Sequence, residues 1–261
     1  AILLGSDNGG TVTPTDGSVT GDKVASTGAF TIGAAGTTSS IAGANILVEA
    51  NSLFIGDDVS STTDTAANSV AVGIDALDAV TTGDANVAIG KSALSGNTTG
   101  GNNVAIGNQA LNAPDTESNN IAIGSNALNA SISGGEYNVA IGSSAGAALT
   151  SGDYNTFVGY NAGAGNTSGQ RAVVIGGEAM DSAATTSTGN IVIGWQAGRA
   201  ITSGEYNLIA GYTSGAAITT GSANVALGQG CLTQPDTESN NIAIGMDTMN
   251  AAIAGGEYNI A

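Results

Sequence analysis

The chain has 261 residues, 41 of them glycine, with 21 acidic side chains against four basic ones, no histidine and a formal charge of −17. That balance argues against nucleic acid as a partner, because phosphate recognition needs Lys and Arg opposite the strand, and against anionic membrane surfaces. At 41% hydrophobic and 10% charged the chain is too apolar for disorder, and no apolar run reaches the ~18 residues of a membrane span, so no membrane insertion is expected.

The N-terminal "AILLG" is too short for a signal peptide and lacks a charged flank. The chain starts without Met and is expected to be a processed product or an ordered part of a longer protein. Residues 1–50 ("TVTPTDGSVTGD", "GAFTIGAAG") read as a Gly/Thr-rich β region. The lone cysteine, Cys231, excludes an intrachain disulfide and stands where other units carry Ala93, Ala110 and Ala127, so it reads as a small core residue.

From residue 51 to residue 261 one phrase repeats: "NVAIGKSAL" at Asn86, "NVAIGNQAL" at Asn103, "NIAIGSNAL" at Asn120 and "NVAIGSSAG" at Asn138. Its glycine recurs at Gly56, Gly73, Gly90, Gly107, Gly124, Gly142, Gly159, Gly176, Gly194, Gly211, Gly228 and Gly245, 17 or 18 residues apart, and a further unit opens at Asn259. "PDTESNNIAIG" occurs at Pro114 and at Pro235, with "GGEYN" following at Gly134 and Gly255, which points to duplication of a seven-unit block. Helical repeats need longer periods and helix formers; Gly, Thr, Ser and Asn around a short "VAI" run suit strands and turns. Two short strands and two turns per unit predict a flattened two-sheet roll, an all-β parallel β-solenoid rising ~4.8 Å per coil. A left-handed hexapeptide helix fits less well, since the aliphatic–Gly pair comes once per unit.

Alternate strand residues face opposite sides. The residues three and one before the glycine (Val87 and Ile89, Val104 and Ile106) share one side, and Ala71, Ala88, Ala105, Ala122, Ala140, Ala226 and Ala243 share the other. Both sides are apolar, so both must be covered. The alanine side is expected to meet sister chains in a homotrimer. Where the central residue grows (Phe157, Val192, Ile209), flanks shrink at Thr156 and Ala210, as in a volume-compensated core. The glycine predicts a corner needing positive φ or lacking room for a Cβ. Asn86, Asn103, Asn120, Asn138, Asn155, Asn190, Asn207, Asn224 and Asn241 stand four before the glycine and predict a structural amide ladder.

"NSVAVG" from Asn68 and "NNVAIG" from Asn102 resemble the head repeats of YadA-type trimeric autotransporter adhesins. "YNTFVGYNAGAGNTSG" from Tyr154 resembles repeats of phage and phage-like tail fibres. The resemblance spans residues 51–261. It implies a left-handed, homotrimeric β-roll, a structural and attachment role on a virion or another extracellular surface, and a host glycan or receptor as partner. With no stalk heptads or membrane anchor in these residues, the expectation leans to a viral fibre; an adhesin head is the second reading and a glycan-cleaving spike the third.

Among candidate sites, Tyr160, Trp195 and Tyr212 follow the glycine in nearby units and are the candidate glycan contact, because aromatic faces suit sugar rings. Asp84, Glu136, Asp153, Glu205 and Glu257 stand six before it; they read as a solvated edge, with Ca²⁺ the alternative. The "TTG" and "TSG" turns form a second polar ladder, interrupted by Ser and Gly as an ice-binding face would not be. With no His and no nucleophile beside a base, no catalytic residue, cofactor or metal is assigned.

Overall fold

The computed structural model describes residues 38–41, 44–49, 52–56, 66–113, 116–130, 133–182, 185–234, 237–251 and 255–261. Most of the expected N-terminal region lies outside them. Its described part, β1 (Thr38–Ile41) and β2 (Ala44–Glu49), pairs antiparallel with itself and then with β3 (Ser52–Gly56), so it extends the same sheet as the repeats. From β3 onward every pairing is parallel and runs in sequence order. The strands are β4 (Val70–Gly73), β5 (Val87–Ile89), β6 (Val104–Ile106), β7 (Ile121–Ile123), β8 (Val139–Ile141), β9 (Thr156–Val158), β10 (Val173–Ile175), β11 (Ile191–Ile193), β12 (Leu208–Ala210), β13 (Val225–Leu227) and β14 (Ile242–Ile244). The chain is an all-β parallel solenoid of about ten coils, with no helix among the described residues.

Register is one-to-one: Val87 lies beside Val104 and Ile121, Ala88 beside Ala105 and Ala122. Each coil contributes one strand of three or four residues from β4 on, not the expected two. The far side of the coil does stack, through bonds such as Leu77 N–H to the Ala93 carbonyl (2.9 Å) and Leu111 N–H to the Ala127 carbonyl (2.9 Å). It cannot be a strand, because two residues per coil there have left-handed backbone, as at Ser92 (φ 54°) and Leu94 (φ 53°). Leucine rarely adopts that conformation, and it persists where the surrounding bonds over-determine it.

The side assignment of the strand is the reverse of that expected. Ala71, Ala88, Ala105, Ala122, Ala140, Ala226 and Ala243 are fully enclosed within the single chain, none above 2% exposed. They line the coil interior and cannot form a face between chains. The valines and isoleucines beside them point outward, half-buried or exposed, Ile89 being 39% and Ile193 40% exposed. The reason is parity. The buried asparagine lies two residues before the alanine, so both face inward, and the narrow interior accepts alanine opposite the bulky turn residues Leu94, Leu111 and Leu128.

Volume compensation therefore runs across the core and not along the strand. The coils of Phe157, Val192 and Ile209 carry glycine (Gly163, Gly198, Gly215) at the turn position where the coils of Ala88, Ala105 and Ala122 carry leucine. Gly146 leaves room for the Phe157 ring of the next coil, and the coil of Val174 keeps Met180. A Cβ on Gly146 would lie 2.7 Å from the Phe157 ring, and one on Gly163 would strike the same ring. A Cβ on Gly215 would lie 3.0 Å from Ile209. The core thus holds its density by moving bulk from turn to strand.

The pairing makes a testable cycle. Phe157→Ala alone should cost about 3–5 kcal/mol by cavity formation, and Gly163→Leu alone should also destabilise by overpacking. The double variant installs the Ala/Leu pattern of the coils at Ala105/Leu111 and Ala122/Leu128 and should recover most of the loss in denaturant unfolding; additive costs would contradict the compensation.

Candidate functional site

Three columns of side chains tie each coil to the next. In the first, the repeat glycine turns the chain out of the strand with φ between +123° and +145°. A Cβ on Gly159 would lie 2.7 Å from the Gly176 carbonyl carbon, and one on Gly228 2.5 Å from the Gly245 oxygen. Both expected reasons for glycine operate together: the backbone angle and the close approach of the next coil. Gly56, in the first parallel strand, has no described side-chain environment.

In the second column each asparagine is buried, and all but the last, Asn241, use both the carboxamide oxygen and nitrogen along the axis. The backbone N–H of Asn103 donates to Asn86 Oδ1, that of Asn120 to Asn103 Oδ1 and that of Asn155 to Asn138 Oδ1, all at 2.9 Å. The Nδ2 groups of Asn86, Asn138, Asn155 and Asn190 donate to the carbonyls of Gly100, Gly152, Gly169 and Gly204 in the next coil, each at 2.8 Å. The same pattern runs on through Asn207 and Asn224, and Asn241 continues the N–H to Oδ1 bond while its Nδ2 has no partner among the described residues. Ser52 and Ser69 hydroxyls start the ladder by accepting from Ser69 and Asn86 N–H, and Ala172 interrupts it, its N–H donating to Asn155 Oδ1 while its methyl offers no acceptor to the next coil.

The third column was not legible as such. Two of the acidic residues six before the glycine use an oxygen structurally: Asp84 Oδ1 accepts from Ala67 N–H (2.7 Å) and Asp153 Oδ1 from Glu136 N–H (2.9 Å). Ser118 and Ser222 do the same with their hydroxyls, accepting from Gly101 and Glu205 N–H. The signal available was that Asp and Ser both recur there, at Asp84, Ser118, Asp153, Ser222 and Ser239; both are short acceptors. Among the described residues no three His, Cys, Asp or Glu side chains converge as a metal site would require. The duplicated block has its own version one residue earlier, with Glu117 accepting from Gly134 N–H and Glu238 from Gly255 N–H, both at 2.7 Å. The threonine turns are likewise engaged, Thr81 and Thr150 hydroxyls donating to the carbonyls of Thr98 and Thr167.

What remains free for a partner is the outer face. Its residues lie at odd positions from the glycine: two aliphatic columns in the strand, edged by a column five residues before the glycine and one directly after it. On the first edge Tyr137 and Tyr154 stack with ring centres 5.1 Å apart and 3° between planes, and the Arg171 guanidinium sits 5.9 Å from the Tyr154 ring. On the second edge lie Tyr160, Trp195 and Tyr212, all exposed. The six-membered ring of Trp195 occupies the space beside Gly177, where a Cβ would come within 2.5 Å of it. Beside this edge Gln196 Nε2 donates to Glu178 Oε2 at 2.7 Å, and Arg199 pairs with Asp181 at 3.4 Å. Burial raises the Asp181 carboxyl above its ordinary value, with Arg199 opposing. Cys231 is buried against the Ser214 hydroxyl (3.0 Å), and burial raises its thiol pKa, which suits a core side chain and not a reactive one.

No protein-family model, no curated protein and no solved structure matches the chain.

The ladder carries a graded prediction. Asn138→Ala removes the acceptor for Asn155 N–H and the donor to Gly152, and should cost about 3 kcal/mol in denaturant unfolding. Asn138→Ser keeps a hydroxyl acceptor, as Ser69 does, and should cost roughly half as much. Equal costs would show that the carboxamide acts only by filling space.

Proposed function

We propose that the chain is a homotrimeric, left-handed solenoid segment of a phage or phage-like tail fibre, working as a stiff shaft or tip in host attachment. One observation carries this reading. The outer face of the sheet presents aliphatic side chains in every coil, among them Leu53, Ile89, Ile141, Ile175, Ile191, Ile193 and Leu208, each more than a third exposed. A continuous apolar strip of this length on a folded chain marks an interaction surface. Because it runs with the coil axis, it is best covered by parallel sister chains about a common axis. The sequence resemblance to trimeric fibres and adhesin heads supplies the number three.

The role is mechanical. Axial hydrogen bonds run through backbone, asparagine, carboxylate and hydroxyl alike, so bending the rod means breaking several ladders in one coil. The charge of −17 keeps neighbouring particles apart in salt water. The same geometry suits a bacterial adhesin head; a membrane β-barrel following this segment in the full-length protein would decide for that reading.

Sedimentation equilibrium should give three times the 25.0 kDa chain mass. The variant Ile106→Asp/Ile123→Asp/Ile141→Asp should sediment as a monomer while keeping its β circular dichroism, since these side chains lie outside the coil. A monomeric parent protein would overturn the proposal.

A further inference from the structure

We infer that Tyr160, Trp195 and Tyr212 form a continuous aromatic platform that binds an uncharged glycan chain, its pyranose rings laid along the solenoid axis. In sequence the row has a gap, because Gly177 separates Tyr160 from Trp195. The structure closes that gap: the Trp195 ring lies over Gly177, reaching back toward Tyr160. Four successive coils therefore offer aromatic surface along one edge, about 14 Å at the ~4.8 Å strand spacing. Linked sugar rings repeat on the same scale.

Three features favour sugar as occupant. The fold does not need bulk at this position, since the coils before it place Asn108, Ser125 and Ser143 there. The rings remain open, Tyr160 at 55%, Trp195 at 44% and Tyr212 at 56% exposure, although Trp195 already has a floor. And the bonded pair Glu178–Gln196 lies next to the platform, presenting an acceptor and donors fixed in orientation, the arrangement by which a few polar groups orient a ligand over an apolar surface. Local charge is mixed, with Arg171, Arg199, Glu178 and Asp181 in the same coils, so nothing selects a charged sugar.

The inference rests on the attachment reading for the source of the glycan, a host surface, but its test is separate. The chain has one tryptophan, so its emission reports on this site alone. Maltohexaose, cellohexaose, N-acetylchitohexaose and mannohexaose would each be titrated into the parent protein, with sedimentation run in parallel. At least one should give a saturable shift in Trp195 emission. Trp195→Ala should weaken that sugar about tenfold by calorimetry, equivalent to ~1.4 kcal/mol, with the sedimenting mass unchanged. No shift with any of the four, or undiminished binding by Trp195→Ala, overturns the inference. A lowered mass in Trp195→Ala also overturns it, by assigning the rings to contact between chains. A monomeric parent that binds sugar would instead remove the trimer and leave the platform standing.

Discussion

Every coil must lie directly above the one before it. At the repeat glycine the next coil's backbone occupies the place of a side chain, and at the asparagine the carboxamide oxygen takes the next coil's N–H. Neither contact survives a lateral shift, because a displaced coil would leave buried amides unpaired along its whole length. The left-handed backbone at Ser92 and Leu94, and at their equivalents in the other coils, is held by the same register. Strain of about 1–3 kcal/mol at such a residue persists only inside a stack that fixes it.

Given that constraint, the division of labour among positions follows. Residues at even spacing from the glycine are committed to the stack: asparagine to the ladder, alanine to the interior. The two outer edge columns, five before the glycine and directly after it, are relieved of that duty, which is why they vary between serine, asparagine, arginine and tyrosine while the inward residues barely change. Interior volume is a second constraint, met by exchanging bulk between strand centre and turn, as at Phe157 and Gly163. A surface built this way can acquire binding groups coil by coil without disturbing the rod beneath. The Tyr137–Tyr154–Arg171 stack and the Tyr160–Trp195–Tyr212 edge are both such additions.

The period, the parallel stacking, the glycine corner and the asparagine row could be read from the chain because each recurs with the coil and each needs one residue type. The direction of the strand's two faces could not, since valine and alanine are both apolar and alternation alone does not say which is inside. Asn103 held the missing information: a carboxamide that accepts from Asn120 N–H and donates to the Glu117 carbonyl must be interior, and Ala105 shares its side. The second strand was over-read because Leu94 and Leu111 look β-compatible, while their left-handed backbone comes from stacking and has no local signature. The bonds that Asp84 and Asp153 make to the neighbouring coil from this exposed or half-buried edge were not legible, because sequence gives no distance between coils.

The most direct measurement is thiol alkylation of Ala122→Cys and Ile123→Cys, adjacent residues on opposite faces, followed by peptide mass spectrometry. A thiol at position 122 should resist alkylation in every assembly state, and one at 123 should be slow in the assembled protein and fast once chains separate below its denaturation midpoint. Rapid alkylation at 122 in the native protein would contradict the account.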